Sequence, residues 1–252
     1  MTHQHPLLCE SFQDRIEVTL NRVAERNSLN EAMLTQFHQV LDQAGSDPEI
    51  RSIILRGQGG VFCTGMDLEG FVSGVELSSA ENPYMDLLKR FASIDRIVIS
   101  VVEGTVMAGG VGLVAASDLV YADPQSTFSL SEALWGLLPA MVTPFLIRRV
   151  GFQCAYRLTL TAATIGAEEA SRIHLVDEVG ADIQSRLQGA LRRLGRVHPD
   201  TIGDLKAYFR RMWIIDDSME KCAVAELARL SKDPRIIENI TNFVKNGVVP
   251  WE

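Results

Sequence analysis

Apolar and polar positions alternate at Arg15–Asn21, where Ile16, Val18 and Leu20 stand between polar residues. A period of two is the mark of a strand with one buried face. After Asn27–Asn30 the period changes: Met33, Leu34, Phe37, Val40 and Leu41 recur at helical spacing, and a capping residue precedes them. A helix is predicted there from Glu31 to about Ala44. Ser52–Arg56 reads as a second strand that ends in the glycine-rich Gly57–Gly60. Pro83 opens a short helix with Tyr84, Leu87, Leu88 and Phe91 on or near one face. The β-branched run Ile97, Val98, Ile99, Val101 and Val102 is a buried strand that stops at Gly104. Gly109–Gly110 then lead into a small-residue apolar segment that reads as a buried helix, and Leu119–Ala122 is a further short strand.

The second half is helical by pattern. Met141–Val150 and Phe152–Thr161 are predicted as consecutive helices divided by Gly151, followed by Ile183–Arg196, Ile202–Leu230 and Pro234 to about Lys245. Between these elements, Glu69–Glu81 is rich in Gly, Ser and acidic residues without a clear period, and reads as a surface loop beside the candidate pocket. Alternating strands and helices followed by a run of helices imply an α/β fold.

Composition narrows the function classes. A chain of 252 residues with 46% hydrophobic content suits one globular domain. The net charge of −8, with no basic stripe, argues against general nucleic-acid binding. No run of 18 apolar residues suggests a membrane span, and M-T-H-Q-H-P lacks the charged and apolar regions of a secretory signal. A cytoplasmic location is the expectation, and Cys9, Cys63, Cys154 and Cys222, without metal-like spacing, read as free thiols.

The candidate chemistry lies between Val102 and Pro139. Glycines at a strand-to-helix turn let the backbone approach a ligand, and the helix N-terminus presents free N–H groups and partial positive charge. Glu132 is the one carboxylate between Asp123 and Pro139, among Phe128, Leu130, Leu134, Trp135 and Leu137. Apolar surroundings raise the pKa of such a carboxyl. An anion-binding turn beside a desolvated carboxylate suits proton transfer next to a carbonyl. Glu103 reads as a strand-end residue, and the histidines show no nucleophile or metal pattern.

Four segments in order resemble the crotonase (enoyl-CoA hydratase/isomerase) superfamily: Leu20–Asn30, F-C-T-G-M-D-L at Phe62–Leu68, A-G-G-V-G-L at Ala108–Leu113, and S-E-A-L-W-G-L-L-P at Ser131–Pro139. The resemblance implies a spiral of repeated ββα units over residues 1–195 and a C-terminal helical trimerisation region over 196–252, assembled as trimers or hexamers. It implies an oxyanion hole from the backbone N–H groups of Met66 and Gly109, with Glu132 as catalytic acid and base. It places substrate contacts at Gly110, Lys89 and Trp135, gives Lys245 a phosphate to touch, and calls for no metal, nicotinamide or flavin. Lys89 and Arg90 read otherwise as a solvated face.

One departure stands out. Hydratases of the family carry a second glutamate three residues after the second oxyanion glycine, and here that position is Gly112. The segment from Ser131 to Gly151 is similar to dehydratases of polyketide β-branching cassettes, which act on 3-hydroxy-3-methylglutaryl groups borne by acyl carrier protein. The expected reaction is therefore dehydration to a 3-methylglutaconyl thioester. A Δ3,Δ2-enoyl isomerase, a decarboxylase of the same fold and a non-catalytic binding subunit remain open as alternatives. Carrier docking requires a local basic patch, with Arg192, Arg193 and Arg196, or Lys206, Arg210 and Arg211, as candidates.

Overall fold

In the computed structural model, residues 5–68, 82–213 and 217–251 are described. The surface loop expected at Glu69–Glu81 lies outside them. The alternating strand is β2 (Arg15–Leu20), with Ile16, Val18 and Leu20 fully buried, paired antiparallel with β1 (Leu7–Ser11). Asn30 caps α1 (Glu31–Ser46), accepting a bond from the Met33 N–H at 2.9 Å, and the predicted apolar positions are the buried ones.

The architecture follows from three repeated corners. β3 (Ser52–Gly57), β5 (Ile97–Val102) and β7 (Leu119–Ala122) lie side by side and parallel in a six-stranded sheet, ordered β1-β2-β3-β5-β7-β10, with β10 (Glu178–Val179) at its edge. Past a corner, each of the three runs on into a short strand of a second sheet: β4 (Val61–Cys63), β6 (Thr105–Met107) and β8 (Thr127–Ser129), with β9 (Ile165–Gly166) antiparallel at the end. The corners stack. A Cβ on Gly104, at φ +85°, would stand 1.8 Å from the Gly60 carbonyl oxygen, and the Gly104 carbonyl accepts from Thr127 N–H at 3.1 Å. Only glycine fits so close a backbone approach. This repetition is the expected ββα spiral.

Two helices return the chain across the core between corners. α2 (Pro83–Ser93) is capped by Asn82, whose side chain accepts from Tyr84 and Met85, and α3 (Gly109–Ala116) is buried along its whole length. The remaining helices are α4 (Thr143–Val150), α5 (Phe152–Thr161), α6 (Ala167–Arg172), α7 (Ile183–Leu194), α8 (Pro199–Arg210), α9 (Asp217–Leu230) and α10 (Pro234–Asn246). The single helix expected over Ile202–Leu230 is thus two. Its break accompanies Trp213, which leaves the helical path to pack edge-on against Phe145 at 5.4 Å, under the Arg148 guanidinium. The helix expected from Met141 starts at Thr143, because Val142 and Thr143 both donate to the Pro139 carbonyl in a turn.

Most apolar side chains form one core. A second cluster joins Ile54, Ile99, Val101 and Tyr121 to Ile183, Leu187 and Ala190 of α7 and Ile202 of α8. Residues on both sides of position 195 therefore share one packed cluster. No helix among the described residues is long and apolar enough to cross a membrane.

Candidate active site

The first candidate loop is held by the segment that begins Leu20–Asn30. Leu29 and Met66 form an isolated parallel bridge: Leu29 N–H donates to the Gly65 carbonyl at 2.7 Å, and Asp67 N–H donates to the Leu29 carbonyl at 2.9 Å. Because residues 65 and 67 spend these groups on Leu29, the intervening Met66 N–H faces the other way. Arg22 ties the loop from below, bonding Asp67 at 2.8 Å and the Ser28 carbonyl at 2.6 Å. The fully buried Asn27 amide spans the Gln58 and Val61 carbonyls.

The second loop meets the first at Gly65. A Cβ there, at φ +89°, would lie 2.7 Å from the Ala108 Cβ and 2.8 Å from the Gly109 nitrogen. Ala108 itself has φ +48° and ψ −123°, a conformation that costs a residue with a side chain about 1–3 kcal/mol. That twist ends β6 and starts α3 within one residue. Among the described residues neither Met66 N–H nor Gly109 N–H has a protein acceptor. Two free donors thus sit where two loops touch, one of them at the positive end of a buried helix.

Across the cavity stands Glu132, first residue of a 3-10 turn (Glu132–Trp135) closed by Gly136 at φ +83°. The residue as a whole is partly exposed, yet its Oε2 is shut from solvent and has no hydrogen-bond partner. Burial pushes its carboxyl from 4.5 up to about 7, opposed only by a bond from its own backbone. The desolvating wall differs from the expected one, since Leu134 points outward at 41% exposure. Its place is taken by Pro139, Met141 and Val142, which line a cavity of about 140 Å³ with the expected Trp135 and Leu137 and with Met66, Ala108, Gly109, Tyr84 and Leu227. A larger hollow of about 780 Å³ near Ile147, Phe209 and Trp213 holds none of these groups, so the smaller one is the candidate site. Cys63 is buried beneath it, its thiol pushed up to about 12 by desolvation, and is no nucleophile at neutral pH.

The enoyl-CoA hydratase/isomerase family matches the chain over residues 13–232. The chain belongs to the enoyl-CoA hydratase/isomerase family. The bacillaene synthase dehydratase PksH of Bacillus subtilis is 34% identical, over 93% of this chain and 92% of that protein. A solved structure of a Bacillus subtilis polyketide-biosynthesis enoyl-CoA hydratase, pksH, superposes with a TM-score of 0.90 at 31% identity, over 99% of this chain and 100% of that one. The 2,3-dehydroadipyl-CoA hydratase of Escherichia coli is 32% identical over 68% of each chain. The protein is an enzyme of the hydro-lyase type, with the hydratase/dehydratase activity of this family.

Of the site residues read from the sequence, this hydratase/isomerase-family chain brings Met66, Gly109, Glu132 and Trp135 to one cavity. Gly110 and Lys89 are not in its described wall. Gly110 instead packs on β4, where a Cβ would be 2.4 Å from the Cys63 carbonyl oxygen, so its smallness serves helix–strand packing. Lys89 faces α9 and pairs with Glu220 at 2.7 Å, and Arg90 turns to His38 and Asp42. Both cations are engaged by acids on neighbouring helices rather than left for a substrate. Lys245 lies exposed in the last turn of α10. Lys206 is a correction: it is nearly buried, bonded to the Phe91 and Arg96 carbonyls and to Asp118 at 2.6 Å, and forms no docking patch. Among the described residues no group of three metal-ligating side chains occurs.

Sequence reasoning placed Tyr84 only on the core face of a helix. In the structure its hydroxyl donates to the Gly109 carbonyl beneath the Ala108–Gly109 turn. The other missed feature is the brace behind Glu132. Trp135 stacks edge-on between Phe243 and Trp251, at 5.0 and 4.9 Å, and Ile236 of α10 lies under Gly136.

Proposed function

We propose that the protein dehydrates a 3-hydroxy-3-methylglutaryl thioester on acyl carrier protein to the 3-methylglutaconyl thioester. The observation that carries this reading is one unpartnered carboxylate facing two free backbone N–H groups across a small apolar cavity. The Met66 and Gly109 N–H groups take the thioester oxygen. Glu132 removes the proton at C2, and the electron pair moves onto the carbonyl as an enolate that both donors stabilise. As the enolate collapses to a C2=C3 double bond, the C3–O bond breaks and the proton held by Glu132 passes to the departing oxygen. Water leaves and Glu132 is a carboxylate again, so atoms and charge balance without a cofactor. A single carboxylate serves both steps when the proton and the hydroxyl leave from one face.

Support for the polyketide setting comes from the likeness to PksH and from Gly112, which removes the second carboxylate of a two-glutamate hydratase. For the carrier, the exposed Arg192, Arg193 and Arg196 on and just past α7 remain as the basic patch. A trimer or hexamer accords with the outer face of α8 and the turn after it, where Leu205, Tyr208, Phe209 and Met212 are at least 50% exposed. The described cavity wall holds no lysine, arginine or histidine, and residues 69–81 contain none. A carboxylate left unpaired next to Glu132 is costly, so the distal carboxylate is assigned to the hydrated mouth.

The test is dehydration of 3-hydroxy-3-methylglutaryl thioesters on carrier protein and on CoA, followed by product mass. The proposal expects turnover on both, with higher kcat/KM on the carrier and erosion of that preference by charge reversal at Arg192 and Arg193 at low salt. No dehydration, with rapid migration of a Δ3 double bond instead, would establish the isomerase reading.

A further inference from the structure

Gly112 explains the loss of one carboxylate but not what fills its place. It lies one turn into α3 with its backbone buried, and a Cβ built on it would stand 2.0 Å from the Tyr84 hydroxyl oxygen and 3.0 Å from a methyl of Val142. Tyr84 therefore occupies the volume that any side chain at position 112 would need. The ring arrives there by design of α2: Pro83 starts the helix, the Asn82 amide caps it through Tyr84 N–H at 3.0 Å, and the ring is 2% exposed. Tyr84 also belongs to the cavity wall that Glu132 faces.

Resting on the dehydration reading above, we propose that the Tyr84 hydroxyl oxygen binds the 3-hydroxyl of the substrate and holds it for departure on the Glu132 side. The hydrogen-bond inventory fixes the direction. A phenol has one proton and two lone pairs, and the Tyr84 proton is given to the Gly109 carbonyl. Among the described residues no donor reaches the same oxygen, which leaves acceptor capacity free on a side chain of the cavity wall. A substrate hydroxyl that donates its hydrogen to Tyr84 turns its own lone pairs away, toward the proton carried by Glu132. When the C3–O bond breaks, the nascent water keeps the bond to Tyr84 and takes its second hydrogen from Glu132. Tyr84 is not the acid. Burial first, then the charges of Cys63 and Glu132, holds its phenol well above the usual range, so it stays neutral.

The same hydroxyl supports the Gly109 carbonyl, so loss of turnover in Tyr84→Phe alone proves nothing. Two readouts separate binding of the leaving group from support of the turn. Dehydration of the 3-hydroxy-3-methylglutaryl thioester needs both steps, whereas exchange of the C2 protons of a 3-methylglutaryl thioester into deuterated water needs only Glu132 and the oxyanion donors. The expected result for Tyr84→Phe is a fall of about 10- to 100-fold in dehydration with exchange held within about threefold, because a polar site left unpaired discriminates strongly. Parallel loss of both reactions, or unchanged dehydration, overturns the proposal. Exchange and dehydration both absent from the unaltered enzyme would instead condemn the dehydratase reading. Should Tyr84→Phe fail to fold, Glu132→Gln serves: it should bind the 3-hydroxy thioester about tenfold more tightly than the 3-deoxy analogue, and equal affinity overturns the proposal.

Discussion

Replacing Glu132 by Gln should cut turnover by about 100-fold or more and yet stabilise the protein in alkaline buffer relative to acid. An ordinary carboxyl is ionised above 4.5, whereas the folded enzyme keeps the Glu132 proton until about pH 7. Between those values the native state binds more protons than the unfolded chain, so stability falls as pH rises, by about 1.4 kcal/mol per pH unit. The contribution is most favourable below pH 4.5, and its loss is complete above 7, at roughly 3 kcal/mol in all. A glutamine does not titrate, although its buried amide carries a constant penalty of about 1–3 kcal/mol. The melting difference, variant minus unaltered enzyme, should therefore grow from pH 5 to pH 8 by roughly 2–3 kcal/mol. That is about 4–12 °C for a chain of this size. All other groups titrate in both proteins and cancel. Thermal melts at the two pH values read the difference directly. In the same samples kcat should fall about 100-fold or more, while the unaltered enzyme gains kcat/KM with pH up to about 7 as the base ionises. A melting offset that stays constant across this range would refute the burial argument, as would variant turnover within tenfold of the original.

Gly65→Ala combines a positive φ with a clash at the Gly109 nitrogen, so it should displace an oxyanion donor and lower kcat about 100-fold in a steady-state assay. Gly112→Glu should not create a crotonyl-CoA hydratase, since even its Cβ collides with Tyr84. A loss of about 1–3 kcal/mol in urea unfolding is expected, and efficient hydration would contradict it. Trp135→Ala removes a ring held between Phe243 and Trp251 and should cost about 3–5 kcal/mol as well as turnover, measured by melting and initial rates. Lys206→Ala strands Asp118, whose partner it is. A destabilisation of about 3 kcal/mol should follow, without any change in carrier preference.

The long elements were legible because burial imposes a period on them. β2 alternates over six residues, and α1 repeats its apolar face over four turns. The second sheet was not legible. β4, β6 and β8 have three residues each and β9 two, too few for any period to show, and what fixes them is the stacking of Gly60 and Gly104 at the corners. Glu132 stood out as an isolated carboxylate in apolar company, but Leu134 faces outward while Val142 and Met141 do the desolvating. A short 3-10 turn gives no face that sequence spacing predicts. Tyr84 looked like core because its ring is core. Its hydroxyl acquires meaning only when α2 lies across Gly109 and Gly112, a contact between segments that local patterning does not report.

The brace of α10 behind the Glu132 turn bears on the order in which activity appears during synthesis. Glu132 leaves the ribosome long before Ile236, Phe243 and Trp251 exist, and until they dock, the turn that aims it has nothing beneath Gly136. A nascent chain with the whole spiral folded thus carries a complete set of reacting groups on an unsupported hinge. Release of α10 after cleavage in the short link that follows α9 would return a finished enzyme to that condition, loosening the Glu132 turn together with Trp135 in the cavity wall.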